Sequence, residues 1–235
     1  MRHLLQTTQV RRRQSWLGFA LLALLTPVVG CSNGDTEKSK EGTAESKEAT
    51  ATADGQPPLL LSLDGNEVSP LADKKAAAKV LIFVRSDCPI SNRYSPELQR
   101  LHQLYSGKGV TTFLIYVDPK EPVETIRKHL QEYQIPGTPL RDPEHKMVAF
   151  TGVTITPEVA VYNDDNTLVY RGRIDNRYVD FGKALPEATE HDLEQVLRAL
   201  VNGEQVALRN TTAIGCYIGD LAPNKSPQPS EDSEG

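Results

Sequence analysis

Val80-Leu81-Ile82-Phe83-Val84-Arg85-Ser86-Asp87-Cys88-Pro89-Ile90-Ser91 decides how the chain is read. Val80 to Val84 is a continuous apolar run of strand length, the pattern of a strand buried on both faces. A cysteine follows four residues later. Pro89 comes next, and from Pro89 to Tyr105 the pattern is helical, with Tyr94, Leu98, Leu101, Leu104 and Tyr105 on one face. Proline suits a first helical position, where its missing N–H would go unused. The stretch predicts a strand that delivers a thiol to a helix start, where unpaired N–H groups and the helix dipole favour an anion. An unshifted thiol, with a pKa of about 8.5, is only about 3% thiolate at pH 7, so this placement would activate it. Arg85 and Arg93 add positive charge nearby, and Asp87 opposes it. The competing reading is a buried, inert cysteine at a strand end.

The flanking sequence supplies the rest of a sheet. Leu59 to Leu63 and Glu67 to Leu71 flank Asp64-Gly65-Asn66 and predict a hairpin. Val110 to Val117 predicts a second buried strand, stopped by Asp118-Pro119. A helix is expected from Pro122 to Tyr133, a loop over Pro136-Gly137-Thr138-Pro139, and a short helix from Glu144 to Phe150. Val153 to Tyr162 reads as one strand containing Pro157, and Leu168 to Arg171 pairs back on it. Leu185 to Val201 is expected as the last helix. Strands alternating with helices argue for an α/β domain with a right-handed crossover. The terminal hairpin makes the central sheet mixed, flanked by helices, with an N-terminal hairpin extension.

Both ends of the 235-residue chain are poor folding material. Arg2, Arg11, Arg12 and Arg13 precede a 14-residue apolar stretch, Trp16 to Val29, too short to span a bilayer. Residues 1–30 are therefore expected to be a signal peptide. Val28-Val29-Gly30-Cys31 resembles a bacterial lipobox, which implies cleavage before Cys31 and its lipidation. Residues 31–57 hold almost no aliphatic side chains and predict a flexible tether. Residues 58–222 make the domain, and 223–235 a disordered tail. The expected location is the cell envelope, on the extracytoplasmic side of a membrane. The net charge of −5 comes with no basic patch, which argues against nucleic acid as a partner.

Several stretches carry a likeness. Ser62-Leu63-Asp64-Gly65-Asn66-Glu67-Val68 before the buried strand, and Asp87-Cys88-Pro89 after it, resemble the redoxin family: membrane-associated thioredoxin-like thiol oxidoreductases and their peroxiredoxin relatives. Thr156-Pro157-Glu158-Val159, Tyr170-Arg171-Gly172-Arg173-Ile174-Asp175 and Gly215-Cys216-Tyr217-Ile218 also fit. The resemblance implies a thioredoxin-like fold. It implies a cis bond before Pro157, in a loop where Thr156 and Pro157 face the reactive cysteine and position a peptide substrate. Three departures narrow the activity. The second cysteine of a thioredoxin-type site is replaced by Ser91. The peroxiredoxin proline and threonine are replaced by Leu81 and Arg85. The second cysteine of a Sco-type copper chaperone is replaced by Asn92.

A mixed disulfide on Cys88 needs a resolving thiol, and Ser91 cannot be one. With Cys31 lipidated, Cys88 and Cys216 form the one possible intramolecular pair. A redox-active pair is expected; a permanent staple and two unpaired thiols are the alternatives. The functional expectation is thiol–disulfide exchange through Cys88, with Cys216 as the candidate resolving thiol and protein or small-molecule thiols and disulfides as partners. Pro89 and Ser91 shape the site. A peroxide reductase and a non-enzymatic metallochaperone or binding redoxin are the competing readings. No cofactor and no metal are expected; a copper site at His145 and Cys88 is a remote option, and His129 and His191 read as structural. The charged run Arg171, Arg173, Asp175, Arg177 and Asp180 reads as a solvated face, with ion pairs near the site as the alternative in a redoxin, and is assigned no chemistry.

Overall fold

The computed structural model describes residues 56–219. The expected signal peptide, Cys31, nearly all of the tether and the 223–235 tail lie outside the described residues. The apolar run at the centre forms β3 (Ala78–Val84), buried along its whole length. It pairs in parallel with β4 (Val110–Tyr116) and antiparallel with β7 (Glu158–Asn163). Beyond β4 lie β5 (Thr138–Arg141) and then the hairpin β1 (Leu60–Ser62) and β2 (Glu67–Val68). Beyond β7 lie β8 (Leu168–Gly172) and β11 (Arg209–Asn210), giving the order β11-β8-β7-β3-β4-β5-β1-β2. The mixed sheet and its helices form a thioredoxin-like fold, with the N-terminal hairpin added at one edge.

Alternation along β3 divides the core in two. Val80, Ile82 and Val84 face α1 (Pro89–Arg93), α2 (Ser95–Tyr105), α3 (Val123–Tyr133) and α5 (Asp192–Val201), through Ile90, Leu98, Ile126 and Val196. Leu81 and Phe83 face Leu60, Leu71 and the short α4 (Lys146–Thr151) through Met147 and Val148. Burying side chains of this size contributes about 1.5–3 kcal/mol each. The sheet thus fixes the C-terminal end of β3, from which residues 85–88 emerge.

The structure departs from the sequence expectations at several places. The helix expected over 89–105 breaks at Tyr94, whose φ and ψ of −82° and −5° end α1. Pro96 has no N–H to offer the Asn92 carbonyl, and Ser95 Oγ donates to that carbonyl at 2.6 Å instead. The strand expected over 153–162 divides into β6 (Ile155–Thr156) and β7 around Pro157. The loop expected at 136–139 contains the start of β5, because Thr138 and Pro139 lie alongside β4. The last helix begins at Asp192, seven residues later than expected. Ahead of it, Asn176 Oδ1 accepts from the N–H groups of Thr189 and Glu190 and holds that segment as a loop. The hairpin of β9 (Tyr178–Asp180) and β10 (Lys183–Ala184) was not foreseen, nor were β11 and β12 (Cys216–Tyr217).

Part of the charged run is buried rather than solvated. Asp175 is buried and accepts from Tyr94 Oη at 2.6 Å and from the Arg177 N–H at 2.9 Å. Arg173 Nε donates to Asp192 at 2.7 Å, and the side chain also pairs with Glu190. Asp192 is fully buried and holds Arg209 of β11 as well, so it ties the C-terminal segment to α5.

Candidate active site

Cys88 is the N-cap of α1 and Pro89 its first residue. The loop before it is pinned from several sides. Ser86 Oγ bonds Glu121, and the Ser86 carbonyl accepts from Asn92 Nδ2 at 2.9 Å. Asn92 Oδ1 meets His129 Nε2 at 2.8 Å, and His129 Nδ1 meets Tyr116 Oη at 2.9 Å. This buried chain ties the first helical turn to α3 and β4. Arg85 pairs with Asp87 at 2.8 Å, so each of the two neighbouring charges is partly neutralised by the other.

Three elements converge on the Cys88 sulfur. The Thr156–Pro157 bond is cis, and the Thr156 carbonyl oxygen stands 3.1 Å from Cys88 Sγ, to which the thiol donates in its neutral form. Ser91 lies on the next turn, fully buried, and its hydroxyl meets no oxygen or nitrogen partner. The third element is the C-terminal arm. β12 pairs antiparallel with β6, with Cys216 opposite Thr156 and Tyr217 opposite Ile155. Cys216 Sγ lies 2.7 Å from Cys88 Sγ, both as free thiols. With the arm in place, Cys88 is 1% exposed.

Two glycines let the arm follow this path. At Gly172, whose φ is 148°, a side chain would overlap Thr211 as the arm crosses the end of β8. At Gly215 a Cβ would overlap the Thr156 carbonyl. Hydrogen bonds hold the crossing points: Thr211 Oγ1 meets Tyr170 Oη at 2.6 Å, and the Ile218 N–H donates to Thr154 O at 3.0 Å. Glu158 supports the same loop from below, its buried carboxylate accepting from the Thr154 N–H at 2.9 Å.

The two thiols are electrostatically unlike. Burial pushes the Cys88 thiol up, but hydrogen bonding from Cys216 and from the hydroxyl and N–H of Ser91 outweighs it and leaves the pKa below the ordinary value. Burial, and then the neighbouring Cys88, push Cys216 up to about 12. When the pair carries one negative charge, that charge rests on Cys88 rather than on Cys216, and a thiolate is the nucleophilic form of a thiol. Beside the arm opens a cleft of about 500 Å³, lined by Arg85, Asp118, Lys120, His145, Ile218 and Gly219 among others.

The structure thus gathers Cys88, Pro89, Ser91, Thr156, Pro157 and Cys216 at one point. His145 Nε2 contacts the Val117 carbonyl at 2.7 Å. Among the described residues, the grouping close enough to hold a metal is Glu97, His191 and Glu194, which includes neither His145 nor a cysteine; Arg100 already bridges its two carboxylates. Sequence reasoning missed Glu121, Glu158 and Gly172. The Glu158 signal was present in Thr156-Pro157-Glu158, whereas Glu121 and Gly172 act only through residues distant in the chain.

Comparison with known proteins agrees with this architecture. A hypothetical protein from Sinorhizobium meliloti 1021 is 24% identical and superposes with a TM-score of 0.60, over 70% of this chain and 91% of that one. An uncharacterized conserved protein from Geobacillus kaustophilus is 29% identical with a TM-score of 0.60, over 69% and 89%. No curated protein matches the chain. The redoxin family model matches residues 43–197, from before β1 into α5, and includes Cys88 and Pro157 but not Cys216. The chain belongs to the redoxin family.

Proposed function

We propose that this redoxin is a thiol–disulfide oxidoreductase whose working pair is Cys88 and Cys216. The Cys88 thiolate attacks one sulfur of a substrate disulfide. A Cys88–substrate disulfide forms, and the substrate's other sulfur leaves as a thiolate and takes up a proton. Cys216 loses its proton and attacks Cys88 Sγ, which forms the Cys88–Cys216 disulfide and releases the second substrate thiolate. The substrate gains two electrons and the pair loses two; an external dithiol resets the pair by the reverse exchange. The same steps in reverse oxidise a substrate dithiol.

One observation carries this reading: two free sulfurs 2.7 Å apart, one pushed down in pKa and the other raised to about 12. A helix N-cap that lacks a side-chain hydrogen bond and a facing carbonyl from Thr156 complete the setting. Ser91 stands where a nearby resolving thiol would be, and the resolving role falls to Cys216. The finer location, an envelope face reached through a lipid on Cys31, rests on the basic n-region and the Val28-Val29-Gly30-Cys31 stretch. Among the described residues no helix is long and apolar enough to cross a membrane.

The test is acid-trapping during turnover of a model peptide disulfide. Wild type is expected to turn over, Cys88→Ser to be inert, and Cys216→Ser to accumulate a Cys88–peptide adduct seen by mass. Equal turnover by wild type and Cys88→Ser would overturn the reading. So would resolution in Cys216→Ser as fast as in wild type.

A further inference from the structure

The arm is seated on β6 chiefly by its backbone. β12 pairs with Ile155 and Thr156, the Ile218 N–H donates to Thr154 O at 3.0 Å, and Thr156 Oγ1 donates to the Cys216 carbonyl at 3.4 Å. Main-chain pairing of this kind is indifferent to side chains and takes any extended segment, while flanking pockets set which segment fits. Two positions of the arm are restricted and one is open. Before the cysteine, a Cβ would overlap the Thr156 carbonyl and Ile155, so glycine is required. After the cysteine, Tyr217 is 46% exposed, so nearly half of its surface faces solvent. Two residues after the cysteine, Ile218 is buried in the core face that contains Val153, Met147 and Leu60. The arm also lies outside residues 43–197, the stretch matched to the family.

We infer that the edge of β6 selects extended substrate segments of the pattern glycine, cysteine, any residue, aliphatic residue, and that residues 215–218 are an internal copy which such a segment must displace. This rests on the exchange reading above and names its substrate class. A substrate cysteine bound in the register of Cys216 would stand where that sulfur stands, beside Cys88 Sγ. The substrate strand peels off β6 while its cysteine is still disulfide-bonded to Cys88, the arm re-seats in its place, and Cys216 then attacks Cys88 Sγ and releases the substrate thiolate. Specificity and resolution would then be two uses of one strand position.

The test uses full-length protein carrying Cys216→Ser and three hexapeptides. The first has the arm sequence Ala-Ile-Gly-Cys-Tyr-Ile, the second valine in place of its glycine, the third aspartate in place of its last isoleucine. Each peptide cysteine is activated as a mixed disulfide with thionitrobenzoate. Attack by Cys88 forms a Cys88–peptide disulfide and expels thionitrobenzoate, one disulfide broken and one made. The arm-sequence peptide is expected to react about tenfold faster than either altered peptide, a difference of about 1.4 kcal/mol. Adding Ile218→Asp, or Gly215→Val if that chain does not fold, is expected to raise the rate with the arm-sequence peptide by about tenfold. Rates within twofold for all three peptides overturn the inference, as does no gain on displacing the arm. Free dithionitrobenzoate separates the two levels. If it labels Cys88 while the peptides are not distinguished, only the pattern falls; if it fails to label Cys88, the exchange reading falls with it.

Discussion

Cys216 and Thr156 are register partners in the β12–β6 pair, and that pairing sets the second sulfur beside the first. Thr156 therefore meets both cysteines, its carbonyl facing Cys88 Sγ and its hydroxyl reaching the Cys216 carbonyl. The loop around Thr156 and Pro157 that faces Cys88 thus also carries the strand that holds Cys216.

The unequal acidities give a pH test. The thiolate is the reactive form, and the pKa of Cys88 is lowered, so its alkylation by iodoacetamide should persist to lower pH than for an ordinary thiol. Cys216 should stay unreactive through pH 9, its pKa being about 12. Cys216→Ala removes a hydrogen bond that favours the Cys88 thiolate. The Cys88 profile should then move to higher pH, and an unmoved profile would mean that Cys216 contributes nothing to it.

Gly215 is predicted to be the hinge point of arm seating. In Gly215→Ala the new methyl meets the Thr156 carbonyl, a backbone atom that cannot swing aside, and overpacking of this kind costs roughly 1–3 kcal/mol. The arm should release at least part of the time. Cys88 alkylation in the reduced protein should speed up by about tenfold, while the unfolding midpoint in urea falls only slightly.

Glu121 is a buried carboxylate with one oxygen on Ser86 and the other unpartnered. Burial raises its pKa above the unfolded value near 4.5. A raised pKa means that the native state holds the proton more tightly. The stability from this group is complete below the unfolded value and is lost as pH rises through the folded one. Glu121→Gln should therefore stabilise the protein by about 1 kcal/mol at pH 7 and by nearly nothing at pH 4, measured by urea unfolding at both.

Asp192 is fully buried between Arg173 and Arg209, both of which keep some contact with water. Asp192→Ala leaves those guanidinium groups free to rehydrate, so the expected loss is moderate, about 2 kcal/mol. Because Arg209 belongs to β11, hydrogen exchange should rise along 207–218 before it rises in β3.

Much of this was legible in the sequence, for identifiable reasons. Val80 to Val84 and Val110 to Val117 are long apolar runs, and such runs have one reading in an alternating chain. Cys88-Pro89 marked a helix start because proline is useful at only a few backbone positions. The break at Tyr94 was missed because the apolar spacing continues through it, while Pro96 decides the hydrogen bonding. β11 and β12 are two residues long and carry no periodicity. Their places are set by Arg209 meeting Asp192 and by Gly215 passing Thr156, contacts between residues far apart in the chain. Asp175 looked solvated in the sequence for the same reason, since its partner Tyr94 is 81 residues away.

The central claim is that Cys88 and Cys216 cycle between thiols and a disulfide, and their reduction potential tests it most directly. The pair should equilibrate with a glutathione or dithiothreitol buffer at a potential between about −280 and −120 mV, the range of working thiol–disulfide oxidoreductases. A potential well below about −300 mV would mark a permanent staple and contradict the account, and so would the absence of any Cys88–Cys216 disulfide under oxidising buffer.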